Sequence, residues 1–167
     1  MELYCLRHGL AVDQDTEGIH KDAERPLTAE GKRKMRAVAK GMRAMGLEFD
    51  VILSSPSVRA WQTAEIVAVA MDARDRLILE EGLAPEGSPK QVVESLNNLD
   101  PRPEQVLVVG HEPCLSELVS LLVAGNAALE IVLKKGGLCK LSAESFKPAR
   151  CAALEWLLTP RQMARMA

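Results

Sequence analysis

Val106-Leu107-Val108-Val109-Gly110-His111-Glu112-Pro113 reads as a strand, its exit and the approach to a helix. Four consecutive apolar residues, mostly β-branched, leave the strand no polar face. It is therefore expected inside a sheet, covered on both sides. Such a strand belongs to layered α/β architecture, and the flanking sequence agrees. Leu3 to Leu6 and Val51 to Leu53 read as two further strands, and segments of helical periodicity lie between the apolar runs. Alternation of this kind predicts an α/β fold with a largely parallel sheet.

The helices announce themselves by their ends. Thr28 is placed to cap a helix in which Met35, Val38, Met42 and Met45 recur at steps of three and four, with Gly46 as its stop. Lys32, Arg33, Arg36, Lys40 and Arg43 fall mostly off that apolar stripe and read as a solvated face. Ser57 reads as the cap of a second helix running to Met71. Ser88-Pro89 opens a third, with serine as cap and proline in the first turn. A fourth is expected from about Pro113 to Ala124. Gly137 to Ser142 and Cys151 to Leu158 read as two last strands joined by a polar turn near Glu144 to Pro148. Arg161 to Ala167 is either a short helix or a frayed end.

The 167 residues, almost half of them apolar and about a quarter charged, suit one domain spanning 1–167. A net charge of −2 with no long basic stripe argues against a nucleic-acid partner. The first residues lack the pattern of a secretory leader, and the run from Leu115 to Gly125 is too short for a membrane span, so a cytoplasmic location is expected. Cys5, Cys114, Cys139 and Cys151 show neither redox-pair nor zinc spacing and read as buried free thiols.

Three chemistry-bearing segments each follow a predicted strand: Arg7-His8-Gly9, Ser54-Ser55-Pro56-Ser57-Val58-Arg59, and Gly110-His111-Glu112-Pro113. Ligands of open α/β sheets bind beyond the carboxyl ends of the strands, so the three are expected to share a pocket. Two arginines and two histidines near helix N-termini would make it anion-selective. A guanidinium grips two phosphate oxygens at once, and a neutral imidazole attacks phosphorus if its other nitrogen is fixed as a donor. Arg7 and Arg59 suit the first task and His8 the second, while Gly9 would keep the turn free of a side chain. No recognisable cluster of metal ligands appears, and no cofactor is expected.

These segments, together with Gln62-Thr63-Ala64 and Val109-Gly110-His111, resemble the histidine phosphatase superfamily, also called phosphoglycerate mutase-like. Arg25-Pro26-Leu27-Thr28 with Gly31, Leu83-Ala84-Pro85-Glu86-Gly87, Trp156 with Pro160, and the short length are similar to SixA-type phosphohistidine phosphatases. The resemblance extends to about Pro160. It implies a three-layer fold with helices flanking a mostly parallel central sheet. It also implies a metal-independent phosphatase in which His8 is transiently phosphorylated and Arg7, Arg59 and His111 hold the phosphoryl group.

Many relatives that cleave phosphate esters carry a proton-donating acid, often on a longer insertion; between the second and central strands this chain has a compact segment whose Glu80 and Glu81 read either as that acid or as a solvent-exposed pair. Without such an acid, the expected substrate is a phosphohistidine on a protein of a phosphorelay or phosphocarrier system, because imidazole leaves far more easily than an alkoxide. A small-molecule phosphomonoesterase using Glu80 or Glu81, and a non-catalytic phospho-ligand binding module, are the competing expectations. Arg25 reads either as part of the pocket rim or as structural, and His20 as exposed. The sequence does not fix the oligomeric state.

Overall fold

The computed structural model describes all residues from Met1 to Ala167. The strands are β1 (Glu2–Arg7), β2 (Val51–Ser54), β3 (Leu77–Leu79), β4 (Gln105–Gly110), β5 (Leu138–Ser142) and β6 (Ala153–Leu158). The helices are α1 (Ala29–Ala44), α2 (Val58–Ala70), α3 (Pro89–Asn97), α4 (Cys114–Ala124) and α5 (Pro160–Ala164). One sheet contains every strand, in the order β3-β2-β4-β1-β5-β6. The pairs β2/β3, β2/β4 and β1/β4 are parallel, and only β5 runs against the others.

Strand alternation sends successive side chains to opposite faces, and both faces are filled. Tyr4, Leu6, Ile52, Leu107 and Val109 pack under α1, α2 and α5, meeting Met35, Val38, Met42, Ala64, Val67 and Met163. Leu3, Cys5, Leu53, Val106 and Val108 pack under α3 and α4, meeting Val92, Leu96, Leu115, Leu118 and Leu122. The apolar run of β4 is thus buried on both sides, as its composition predicts. Each such side chain contributes about 1.5–3 kcal/mol by leaving water.

Helix ends follow the expected chemistry with two differences. Thr28 accepts a hydrogen bond from the Gly31 N–H at 2.9 Å, and Ser88 with Gln91 closes a reciprocal cap on α3. Gly46, at φ 71°, takes the left-handed conformation beyond α1. Pro113 is the cap residue of α4, so that helix begins one residue later than expected. Ser57 sits at the N-cap of α2, but its hydroxyl makes no cap hydrogen bond.

The strand β3 was not foreseen, being three residues long with Ile78 and Leu79 exposed at the sheet edge. The end of the chain resolves into α5, capped by Thr159 and Gln162. Cys5, Cys114 and Cys139 are buried, whereas Cys151 is only half-buried, because it lies in the irregular approach to β6 rather than within it. No helix is long and apolar enough to cross a membrane.

Candidate active site

The sheet ladder continues past the strand ends and carries the candidate residues with it. The His8 N–H donates to Gly110 O at 3.1 Å, and the Ser55 N–H to Val109 O at 2.9 Å. On the other side Gly136 N–H reaches the carbonyls of Arg7 and His8 at 2.9 and 3.1 Å. His8, Ser55 and His111 therefore leave three adjacent parallel strands at one level. The imidazoles of His8 and His111 lie 4.9 Å apart, centre to centre. Both are buried, at 6% and 3% exposure.

The tautomer of His8 follows from its partner. Nδ1 lies 2.7 Å from the Gly9 carbonyl oxygen, which can only accept, so Nδ1 carries the hydrogen and Nε2 keeps its lone pair. Arg59 Nε points at that lone pair from 3.4 Å. Burial pushes the His8 pKa down to about 4, against the Gly9 bond and with help from Arg59 and Arg7. Near neutral pH His8 is thus an uncharged imidazole with an available Nε2. That is the state nucleophilic attack requires.

His111 is held from behind. Its Nε2 is 2.9 Å from both Ser55 Oγ and Ser57 Oγ, which explains why Ser57 does not cap α2. With a hydroxyl donating to Nε2, the ring proton resides on Nδ1, which is buried without a partner. Burial, followed by the proximity of His8 and Arg59, lowers the His111 pKa to about 3. Arg7 gives Nη1 to Leu133 O at 3.0 Å, while its buried Nε also lacks a partner. A buried donor without an acceptor costs about 1–3 kcal/mol. These two donors, with the neutral His8 imidazole and the Arg59 guanidinium, form a cradle suited to an anion.

Arg59, 5% exposed, is fixed by a residue absent from the sequence-based expectations. The segment between Ala11 and Leu27 leaves and returns at one point, joined by a bridge between those residues and by Val12 N–H on Pro26 O at 2.9 Å. It carries a short helical turn, Asp22–Glu24, back over the site. There the Asp22 carboxylate takes Arg59 Nη2 at 2.7 Å, and its backbone oxygen takes Nη1 at 2.6 Å. Arg25 grips the other carboxylate oxygen at 2.7 Å and so reaches the site through Asp22. Partial burial raises the Asp22 pKa, but the bonds from Arg25 and Arg59 outweigh it and hold the carboxylate below its usual range. Asp22 is isolated in a polar loop, and no spacing rule marks it.

The other expected residues are placed as follows. Gly9 is required for packing rather than for room at the pocket: a Cβ there would lie 2.6 Å from Met35 Cγ and 3.2 Å from Leu27 Cδ2. Its N–H is taken by Thr63 Oγ1 at 3.0 Å, and Thr63 also donates to Arg59 O at 2.7 Å. Glu80 caps a short turn by accepting Gly82 N–H at 2.8 Å, and Glu81 is exposed. Neither is hydrogen-bonded or ion-paired to Arg7, His8, Arg59 or His111; Asp22 is the carboxylate in contact with the site. His20 is exposed.

The sequence pattern of the Histidine phosphatase superfamily (branch 1) matches residues 3–84. Phosphohistidine phosphatase SixA of Escherichia coli is 30% identical over 128 residues, covering 75% of this chain and 76% of that one. The chain belongs to the histidine phosphatase superfamily. It is a hydrolase of the histidine-nucleophile class, similar to SixA. An uncharacterized protein of Picosynechococcus is 39% identical over 142 residues, 84% of each chain. The structure of the protein histidine phosphatase SixA complexed with tungstate superposes with a TM-score of 0.83 at 25% identity, over 98% of this chain and 99% of that one. The three-layer, mostly parallel fold is thus phosphoglycerate mutase-like, as the sequence implies.

Proposed function

We propose that this phosphatase removes the phosphoryl group from phosphohistidine carried on a protein, through a covalent intermediate on His8. Nε2 of His8 attacks phosphorus and the bond from phosphorus to the substrate nitrogen breaks. The leaving ring, protonated on its far nitrogen, departs as neutral imidazole. Water then cleaves phospho-His8 to give inorganic phosphate and restore the enzyme. Arg7, Arg59 and His111 supply the charge and hydrogen bonds that the equatorial oxygens need.

The observation that carries this reading is the state of Asp22. The carboxylate that touches the site is held ionised by two arginines, so it is a poor proton donor at neutral pH. Expelling an alkoxide without a general acid forfeits about 10²–10⁴ in rate. Expelling imidazole, whose conjugate acid has a pKa of about 6.5, does not. The resemblance to SixA points the same way. A location in the cytoplasm and a place in phosphorelay signalling belong to the same proposal.

The test is phosphate release in excess EDTA from a histidine-phosphorylated carrier protein and from an alkyl phosphate ester such as phosphoserine, with His8→Ala as control. Rapid release from the protein, slow release from the ester and none from His8→Ala are expected. Faster ester hydrolysis would make this a small-molecule phosphomonoesterase, and activity in His8→Ala would remove His8 as nucleophile.

A further inference from the structure

A groove of about 800 Å³ runs between α1 and α2, and the proposed reaction does not use it. Its head lies beside the site. Thr28 N–H donates to Leu10 O at 3.0 Å, which ties the N-cap of α1 to the chain just beyond His8. Gln62, one turn along α2 from Arg59, accepts the Leu27 N–H at 2.8 Å and closes the same end. From there the groove descends past Ile66 and Val69 to Arg74 and Leu77.

Its chemistry is uneven. Lys32, Arg36, Lys40 and Arg74 line it, against one carboxylate, Glu65, in a chain whose net charge is −2. None of the four cations is in an ion pair, whereas Lys34 on the same helix is paired with Glu30. Lys32, Arg36 and Lys40 stand four residues apart, one above another about 6 Å at a time. The face read as merely solvated is therefore a cationic edge along an apolar floor of Trp61, Ile66 and Val69, the last 50% exposed.

We infer that this groove docks an acidic amphipathic helix of the protein that carries the phosphohistidine. The partner's identity rests on the phosphohistidine reading. Carboxylates at four-residue spacing would face Lys32, Arg36 and Lys40 while apolar residues cover Trp61 and Val69, the helix-in-groove mode of recognition. The apolar floor and Glu65 disfavour a polyanion such as nucleic acid, which gains nothing from the first and is repelled by the second. A helix seated here ends at Gln62, one turn along α2 from Arg59, so a phosphohistidine projecting beyond that end is brought toward His8.

Three substrates test this: free phosphohistidine, an acidic amphipathic helical peptide ending in phosphohistidine, and the same peptide with lysine for every glutamate. The wild type should favour the acidic peptide over the basic one. Arg36→Glu with Lys40→Glu should lower kcat/KM on the acidic peptide about tenfold, leave free phosphohistidine unchanged and gain on the basic peptide. Equal use of both peptides by the wild type, or equal losses on all three substrates in the variant, would overturn the docking site. Trp61 gives an activity-independent readout: the unphosphorylated acidic peptide should change its fluorescence, and Trp61→Phe should abolish the change. Double-stranded DNA producing the same change more tightly would make the groove a polyanion site and refute the helix. If the wild type leaves both phosphopeptides and free phosphohistidine intact, the proposed reaction fails, while the Trp61 signal still decides the groove.

Discussion

Acidification should weaken this fold through two particular residues. His8 and His111 have pKa values lowered from 6.5 to about 4 and about 3, chiefly by burial. The unfolded chain therefore binds protons that the folded chain refuses. Stability contributed by their neutrality is complete above the unfolded pKa and declines as pH falls through about 6.5, flattening only near the folded values. At pH 5 each ring costs about 2 kcal/mol, from 1.36 kcal/mol per pH unit below 6.5, so the pair costs about 4 kcal/mol. With a urea dependence of about 2 kcal/mol/M, this moves the unfolding midpoint down by about 2 M.

The assay is urea unfolding at pH 7, 6 and 5 for the wild type and for His8→Asn with His111→Gln. Asn retains a donor toward the Gly9 carbonyl, and Gln retains a polar group at the Ser55 and Ser57 hydroxyls. Carboxylates titrate in both proteins, so the difference between the two pH dependences isolates the imidazoles. A double variant that loses as much stability as the wild type between pH 7 and pH 5 would refute the reasoning.

Other outcomes follow from single contacts. Asp22→Asn removes a negative charge bound to Arg59 and should tighten inhibition by inorganic phosphate or tungstate several-fold, discounted for the partial exposure of Asp22. Thr63→Val strips the Gly9 N–H of its acceptor and should destabilise the fold by about 1–3 kcal/mol with a loss of turnover, measured by thermal melting and phosphate release. Gly41→Ala would set a Cβ 2.0 Å from Met163 O, so α5 must shift from α1; the expected cost is about 1–3 kcal/mol by urea titration.

The sheet was legible because β1, β2 and β4 are apolar runs, and the convergence of the candidate residues because His8, Arg59 and His111 each follow one of them. What escaped notice had no local signal. β3 is too short and too exposed to impose alternation on the sequence. Ser57 looks like a cap, and only the third dimension shows its hydroxyl turned toward His111. Gly9 suggests an open turn, yet the side chain of Met35, distant in sequence, is what excludes a Cβ. Asp22 became visible only once the chain between Ala11 and Leu27 was seen to double back. Glu80 and Glu81 lie between the second and central strands, where an acid over the pocket is one of two readings, but one caps its own turn and the other faces solvent.

The segment joined at its base by Ala11 and Leu27 has a bearing on how this enzyme can diversify. Within it, Thr16 N–H reaches Asp13 O, Ile19 reaches Thr16, and Arg25 reaches Asp22, all neighbours along the chain. The floor of the site, by contrast, is an extension of the central ladder. Amide hydrogen exchange should accordingly be slowest at Leu6 and Val108, which open only with the whole molecule, and fast from Asp13 to Glu24. Lengthening a loop whose ends already meet costs little chain entropy. A longer or differently charged segment would thus change what approaches Arg59 at little cost to the sheet, while the histidine floor keeps the persistence of the ladder beneath it.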